Sequence, residues 1–264
     1  DGIPVGFHEV ASADDLLPLL SAGRIVLDFS QRRAAVVEQA GKLAASVGGA
    51  IDFADNPALV DEIANLVEEP VGVLGGFDER YLELPDQILI SVMAKHQRYL
   101  PVRDADGKLL PYFVTMANGI CDAAVVAAGN ESVLRARYED SLFFWNQDLE
   151  ADSVEEFVPG LEKLTFENRL GSMGQRARRI AAVASTLGEG LHLNADQAAT
   201  LTRAGALAKY DLATNLVTEM TSLAGFVARE YALRKGEPQA VADALREMEQ
   251  PHTSADAVPA SLPG

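Results

Sequence analysis

Five consecutive residues of this chain combine side chains that could contact a polyanion. Lys95, His96, Gln97, Arg98 and Tyr99 lie where a predicted helix gives way to a predicted strand. Cations beside an aromatic ring suit phosphate contact together with stacking on a base or a ribose. In the competing interpretation, Tyr99 packs within the sheet and the cations only keep its edge soluble. The residues alone favour neither interpretation.

Two groups of arginines further along the chain could extend such a surface. Arg135 and Arg137 are two residues apart on a predicted helix, which places them on different faces. Three more arginines fall within four positions, from 176 to 179. The candidate RNA-binding residues are therefore Lys95, Arg98, Tyr99, Arg135, Arg137, Arg176, Arg178 and Arg179. Scattered cations of this kind are also typical of solvated helix faces.

The charge balance of the whole chain weakens the case for a polyanionic partner. The 264 residues carry a formal net charge of −17, and residues 1–90 hold five basic and sixteen acidic side chains. Between residues 95 and 137 the balance reverses, with six basic and four acidic side chains. Because affinity for nucleic acid depends largely on cations that neutralise phosphates, only a local basic surface on this acidic body could bind RNA.

Recognisable catalytic and metal-binding motifs are missing from the sequence. The four histidines are dispersed, and no HxxxH, CxxC, GxxxxGK[ST] or GxSxG pattern occurs. Adjacent acidic pairs such as Glu68 and Glu69 diverge by about 100° on a helix, which suits solvated faces better than acid–base pairs. We therefore predict no catalytic residue, no metal ligand and no cofactor in this chain.

The single cysteine and the short apolar runs indicate the cellular compartment of the protein. Cys121 has no partner for an internal disulfide, which favours a reducing environment. No stretch approaches the ~18 uninterrupted apolar residues of a membrane span, and the first residues lack the layout of a secretory signal. These features predict a cytoplasmic protein with no membrane contact.

The first half of the chain mixes helix and strand signals. Asn56-Pro57 predicts a helix start, Ser30 predicts another, and Asp106-Gly107 predicts a hairpin turn. The predicted elements are helices at 13–20, 30–47, 57–67 and 85–95, and strands at 71–74, 99–103 and 109–116. The segment 24–29 is either a strand or the lead into the next helix.

The second half reads as helices alone. The predicted helices, with Asn130 as the cap of the first, are 130–147, 154–169, 173–187, 195–208, 212–223, 226–234 and 238–249. The fold class is therefore α+β, with a mixed α/β domain at 1–120 and an all-α domain at 121–250. The polar, proline-rich residues 251–264 are predicted to be a linker or a chain end.

Several long blocks carry a resemblance to a known family. The runs DQILISVMAKHQRYLPVRDADGKLLPYFVTMANG, GNESVLRARYEDSLFFWNQD, LEKLTFENRLGSMGQRARRI and LTRAGALAKYDLATNLVTEMTSLAGFVAREYALRKGE occur in order along the chain. Together they resemble the β subunit of bacterial heterotetrameric glycyl-tRNA synthetase. NLVEEPVGVLGGFDERYLELP, earlier in the chain, fits the same family.

The resemblance implies a fold, partners and a division of labour. It implies a B3/B4-like α/β domain followed by a helical HD-type domain, in an internal fragment without the family's anticodon-binding region. The implied partners are the α subunit, which carries the catalytic site for ATP, Mg and glycine, and the glycine tRNA. A second β subunit is a further candidate partner. The chain itself is then a non-catalytic part of a glycine–tRNA ligase.

The HD-type resemblance also raises a metal-dependent phosphohydrolase as an alternative. That chemistry needs several histidines and aspartates that converge on a metal. The matching stretch holds only Lys209-Tyr210-Asp211, without an adjacent histidine, so Lys209 and Asp211 are the remnant of the motif. We predict instead that the Asp211 carboxylate caps a helix that begins at Leu212.

Two main hypotheses follow. In the first, the candidate cations hold the tRNA backbone, and the chain positions the acceptor end for the α subunit. In the second, the chain is a structural scaffold that joins subunits without contacting RNA, as the acidic first half suggests. Salt-dependent binding of glycine tRNA separates the two.

Overall fold

A computed structural model describes residues 8–251 and 256–261, and the chain divides into two units between Asp140 and Ser141. The division lies twenty residues beyond the predicted boundary at 120. His252 and part of the predicted linker at 251–264 lie outside the described residues. Within the described chain, no helix is long and apolar enough to cross a membrane.

Unit 1 combines helices with a small sheet. Its helices are α1 (Leu16–Ala22), α2 (Phe29–Ser46), α3 (Pro57–Leu66), α4 (Asp86–Ser91) and the first part of α5 (Ala123–Leu149). Its strands are β1 (Pro70–Gly76), β2 (Leu100–Arg103) and β3 (Leu109–Asn118), arranged in the antiparallel order β1-β3-β2. The predicted strands and the hairpin are confirmed.

Local turn chemistry explains the β2–β3 hairpin. Gly107 adopts a positive φ of 82°, which glycine tolerates at no steric cost. The Asp104 carboxylate accepts hydrogen bonds from the main-chain N–H groups of Asp106 and Lys108, both at 2.9 Å. These bonds turn the chain, and β3 returns as the central strand with Pro70 of β1 opposite its last residue.

The core of unit 1 forms where α2 and α3 cover the sheet. α2 buries Val36, Ala40 and Ala44, which recur every four residues and so share one face. The predicted start of α3 is confirmed, since the Asn56 side chain accepts from the Leu59 N–H and proline follows it. The predicted cap of α2 is wrong. Asp28 fills that role rather than Ser30.

α5 begins earlier than its sequence pattern predicts. Asp122 precedes the helix, and its carboxylate accepts from the N–H groups of Ala124 and Val125 at 3.0 and 3.2 Å. Asn130 therefore lies inside the helix and is not its cap. The predicted start at residue 130 fails because the preceding alanines and valines continue the helix, and the aspartate before them satisfies its first donors.

Unit 2 is helical apart from one short hairpin. Its helices are α6 (Met173–Gly190), α7 (Ala195–Ala206), α8 (Asn215–Glu219), α9 (Phe226–Arg234) and α10 (Gln239–Glu247). Strands β4 (Thr165–Glu167) and β5 (Gly171–Ser172) form the hairpin, which the all-α prediction missed. The described chain as a whole is helix-rich with a small antiparallel sheet, in agreement with the α+β prediction.

Two predicted helices of unit 2 take other forms. The segment 154–169 is a 3-10 helix over Val154–Lys163 followed by the hairpin, because Pro159 cannot donate an α-helical hydrogen bond. The segment 212–223 divides into a 3-10 helix at Tyr210–Ala213, then α8, then a 3-10 helix at Thr221–Leu223.

Candidate functional site: a candidate nucleic-acid interface

The first candidate contact lies on a π-helical turn, Val92–Gln97, that continues α4 and ends at Arg98. We call residues 92–98 the Lys95 turn. Its first three residues are buried, whereas Lys95 is exposed and has no side-chain partner among the described residues. Arg98 takes a left-handed conformation, and the next N–H, of Tyr99, donates to the Met93 carbonyl at 2.9 Å. The turn thus presents Lys95 to solvent from a fixed backbone.

Arg98 and Tyr99 use their side chains inside unit 1. The Arg98 Nε donates to Glu62 Oε1 at 2.8 Å. Tyr99 is only 4% exposed, and its ring stacks on Phe113 with centroids 4.6 Å apart. Its hydroxyl donates to Asn130 Oδ1 at 2.9 Å, and burial raises the pKa of Tyr99. The packing interpretation of Tyr99 therefore describes this structure, since its ring is not accessible to a base.

The α5 candidates lie on the same unit as the Lys95 turn. Arg135 and Arg137 are both exposed, and the Arg135 guanidinium donates to Ser132 Oγ at 3.0 Å. The hydrogen bond between Tyr99 and Asn130 connects the strand after the Lys95 turn to α5. Asn130 precedes Arg137 by seven residues, or about 10 Å along a helix axis. The Tyr99–Asn130 hydrogen bond therefore joins the Lys95 turn to the helix that carries Arg135 and Arg137.

A cleft of about 540 Å³ lies beside Arg135, between α5 and the segment that follows β1. Several other charges on its walls are engaged within unit 1, whereas Glu79 is exposed and has no partner among the described residues. Arg80 forms an ion pair with Glu139, and Glu131 accepts from a main-chain N–H at the end of β1. Arg135 is the cation of this cleft without an acidic partner among the described residues, but the Glu79 carboxylate on the same walls opposes the entry of an anionic group.

The three candidate arginines of α6, Arg176, Arg178 and Arg179, divide between two sides of the helix. Arg178 forms an ion pair with Glu162. The Arg176 guanidinium lies 4.4 Å from the centroid of the Phe166 ring, and Arg179 donates to the Leu170 carbonyl at 3.2 Å. Arg176 and Arg179 both line an apolar groove of about 570 Å³, which we call the α6–α7 groove. Its large apolar lining residues include Phe166, Leu170, Ile180, Val183, Leu187 and Leu191.

The HD-motif remnant is buried and engaged in structural contacts. Lys209 forms an ion pair with Glu249, and both side chains are largely buried. Asp211 is 1% exposed, and its Oδ2 accepts from the Gly225 N–H at 2.7 Å. Burial raises the pKa of Asp211 to about 6, although the Gly225 hydrogen bond opposes the rise.

The predicted capping role of Asp211 is wrong. Residue 212 belongs to a 3-10 turn, and the next α-helix, α8, has Thr214 as its cap. No group of three His, Cys, Asp or Glu side chains in the described part of the chain could hold a metal ion. Because the Asp211 carboxylate is buried against a main-chain N–H, these residues do not fit the metal centre of a phosphohydrolase.

Comparison with known proteins identifies the family of the chain, which the geometry of these residues does not show. A family model described as "Glycyl-tRNA synthetase beta subunit" matches residues 4–264. The chain belongs to this family. The beta subunits of glycine–tRNA ligase from Desulforudis audaxviator and Halothermothrix orenii are both 41% identical to it, over 97% of the chain. The chloroplastic/mitochondrial glycine–tRNA ligase 2 of Arabidopsis thaliana is 40% identical over 95% of the chain.

The chain corresponds to part of these relatives. It spans 37% of the length of each of the two bacterial beta subunits and 23% of the plant protein. The resemblance of the sequence blocks to the glycyl-tRNA synthetase beta-subunit family is thereby confirmed.

Two features of this beta-subunit family member were not predicted from the sequence. The Asp148 carboxylate, at the end of α5, is 1% exposed and accepts hydrogen bonds from four donors, which only its tertiary neighbours supply. The α6–α7 groove is the second. Apolar residues at spacings of four, such as Val183, Leu187 and Leu191, could have indicated an apolar face, but not that it stays exposed.

Proposed function

We propose that this chain is part of the tRNA-positioning region of a glycine–tRNA ligase β subunit. In this proposal a separate α subunit, with ATP and Mg²⁺, attaches glycine to the tRNA, and the present chain helps to orient the acceptor end. Orientation alone can lower a reaction barrier by several kcal/mol. Membership of the beta-subunit family supports the proposal, with unit 1 as the B3/B4-like domain and unit 2 as the HD-type domain.

The observation that carries the RNA contact is the exposed, unpartnered Lys95 on a chain that is otherwise acidic. Arg135 is exposed as well, and among the described residues its guanidinium donates only to a hydroxyl group. By contrast, the charges of Arg98 and Arg178 are offset by Glu62 and Glu162. We therefore assign phosphate contacts first to Lys95 and Arg135 and next to Arg137 of α5, while Tyr99 supports the Lys95 turn from within.

The variant with both Lys95→Gln and Arg135→Gln tests this assignment. We expect about a tenfold loss of affinity for labelled glycine tRNA at low salt. The slope of log K against log salt should fall in magnitude by about 1.5, because each lost phosphate contact removes about 0.7–0.9 of counterion release. Fluorescence anisotropy at several NaCl concentrations measures both quantities on this chain.

A matched control removes two positive charges that already have acidic partners. Arg33 pairs with Asp61, and Lys42 pairs with Glu38. The double variant Arg33→Gln and Lys42→Gln has the same net charge as the test variant, and its salt slope should equal that of the wild type. Equal slopes for all three proteins would contradict the assignment of Lys95 and Arg135.

A second candidate function is subunit association without RNA contact. The observation in its favour is the α6–α7 groove, which leaves several large apolar side chains exposed on unit 2. If no binding of glycine tRNA is measured even at low salt, association becomes the better description of the chain.

A further inference from the structure

The α6–α7 groove exposes a continuous apolar stripe. Val183, Leu187 and Leu191 are 58%, 56% and 57% exposed, and they follow one another at four-residue spacing along and just beyond α6. Leu170, on the adjoining hairpin loop, is 53% exposed. Single exposed apolar residues are ordinary on protein surfaces, whereas a contiguous set in a groove marks an interaction site.

The stripe is not required for the packing of α6 within unit 2. α6 buries Met173 and Ala177 in the core, and it approaches α7 through small residues. A Cβ atom built on Gly205 of α7 would lie only 3.3 Å from the Cα atom of Ala181 on α6. The contact between α6 and α7 is therefore already close at that point, and the exposed stripe remains free for another partner.

The charge of the groove is opposite to that of the chain. The charged residues that line it are Arg176 and Arg179, both on the first half of α6. Neither has an acidic partner among the described residues; one stacks on Phe166 and the other donates to a main-chain carbonyl. On a chain of net charge −17, this end of an apolar groove favours an occupant that carries negative charge.

The length of the stripe indicates the kind of occupant. Ile180 and Leu191 are eleven residues apart, which corresponds to about 17 Å, or three turns of helix. This length matches the apolar face of an amphipathic helix of three turns, whose side chains recur at the same spacing as those of the stripe.

We infer that the α6–α7 groove binds an amphipathic α-helix of a partner protein, with apolar residues on one face and acidic residues at the end that meets Arg176 and Arg179. Recognition of an amphipathic helix by an apolar groove is a recurrent binding mode. The inference concerns protein association, and it holds whether or not unit 1 contacts RNA.

A synthetic peptide tests the inference on this chain. The probe has about 18 residues, with leucines at helical spacing on one face and glutamates in its first turn, and it is about 27 Å long as a helix. A twin peptide carries lysines in place of the glutamates. We expect the glutamate peptide to bind by fluorescence anisotropy at least tenfold more tightly than the lysine twin, because only the former complements the two arginines.

Variants in the groove and outside it separate the apolar contribution to peptide binding from the electrostatic contribution. Leu187→Glu should weaken binding of the glutamate peptide at least tenfold, while Val125→Glu, at a position 68% exposed on α5, should leave it unchanged. Neutralising Arg176 and Arg179 together to glutamine should remove the preference for glutamate over lysine, whereas Arg178→Gln should keep it. Leu187→Glu retains every candidate RNA cation, so its tRNA binding should equal that of the wild type.

Three results would overturn the inference. The first is failure of the glutamate peptide to bind the wild type, and the second is equal binding to the Leu187→Glu variant. The third is a different occupant. Palmitate that binds more tightly than the peptide and competes with it would make the groove an acyl site, and a wild-type dimer that Leu187→Glu dissociates would assign the groove to a second copy of the chain.

Discussion

Replacing Asp148 with alanine should lower the free energy of unfolding of unit 2 by about 4 kcal/mol. The Asp148 carboxylate accepts from the N–H and the side-chain amide of Asn215, at 2.9 and 2.8 Å, and from the Leu216 N–H at 3.0 Å. It also accepts from the Tyr231 hydroxyl at 3.0 Å. Alanine would leave the buried Leu216 N–H and Tyr231 hydroxyl without an acceptor, at about 1–3 kcal/mol each, and would also remove the part-buried hydrogen bonds from Asn215.

The single tryptophan provides the measurement. Trp145 lies 5.0 Å from Tyr231 between ring centroids, so its fluorescence reports on the environment that Asp148 organises. Urea unfolding followed at Trp145 should show the loss for Asp148→Ala. Asp140→Ala, at an exposed position on the same helix, should stay within about 0.5 kcal/mol of the wild type. A loss below about 1 kcal/mol for Asp148→Ala would show that water replaces the carboxylate.

Replacing Asp211 with asparagine should change how the stability of unit 2 depends on pH. Burial raises the pKa of Asp211 from 3.8 to about 6, with Glu249 adding to the rise and the Gly225 N–H and Lys209 opposing it. The folded state thus holds the proton more tightly than the unfolded state. The carboxyl group therefore costs no stability below pH 3.8, and the cost of its ionisation grows between pH 3.8 and 6 and levels off above that.

The cost reaches about 3 kcal/mol above pH 7, since each pKa unit corresponds to about 1.4 kcal/mol. Asparagine can accept the Gly225 hydrogen bond without ionising. The stability of Asp211→Asn relative to the wild type should therefore rise by about 1.5 kcal/mol between pH 5 and pH 8. Urea unfolding followed at Trp145 at both pH values measures this difference. A difference that stays constant with pH would show that Asp211 is not the group that titrates.

Features governed by neighbours in the sequence were predicted well. The Asn56-Pro57 helix start and the Asp106-Gly107 hairpin depend on side chains and backbone preferences within a few residues, and both are confirmed. The limits of α5 were predicted poorly because Asn130 offers a cap that the continuing helix does not use. The helix predicted at 212–223 divides because Asp148, more than sixty residues away, fixes the start of α8.

The candidate RNA-binding residues also show which features depend on neighbours in the sequence and which depend on residues distant along the chain. The sequence places Lys95, Arg98 and Tyr99 together, but it could not show which of them remain exposed. Folding brings Glu62 to Arg98 and places Phe113 against the Tyr99 ring, whereas it leaves Lys95 in solvent. The RNA contacts of the remaining cations stay a prediction.

The family, the mixed α+β composition and the acidic charge with its local reversal could be predicted because they follow from the order and identity of residues. The folded chain was needed to show that Asp211 is a buried structural carboxylate and that Leu187 lies in an exposed groove. Burial and ion pairing depend on residues distant along the chain, and a periodic pattern shows that a helix has an apolar face without showing what covers it.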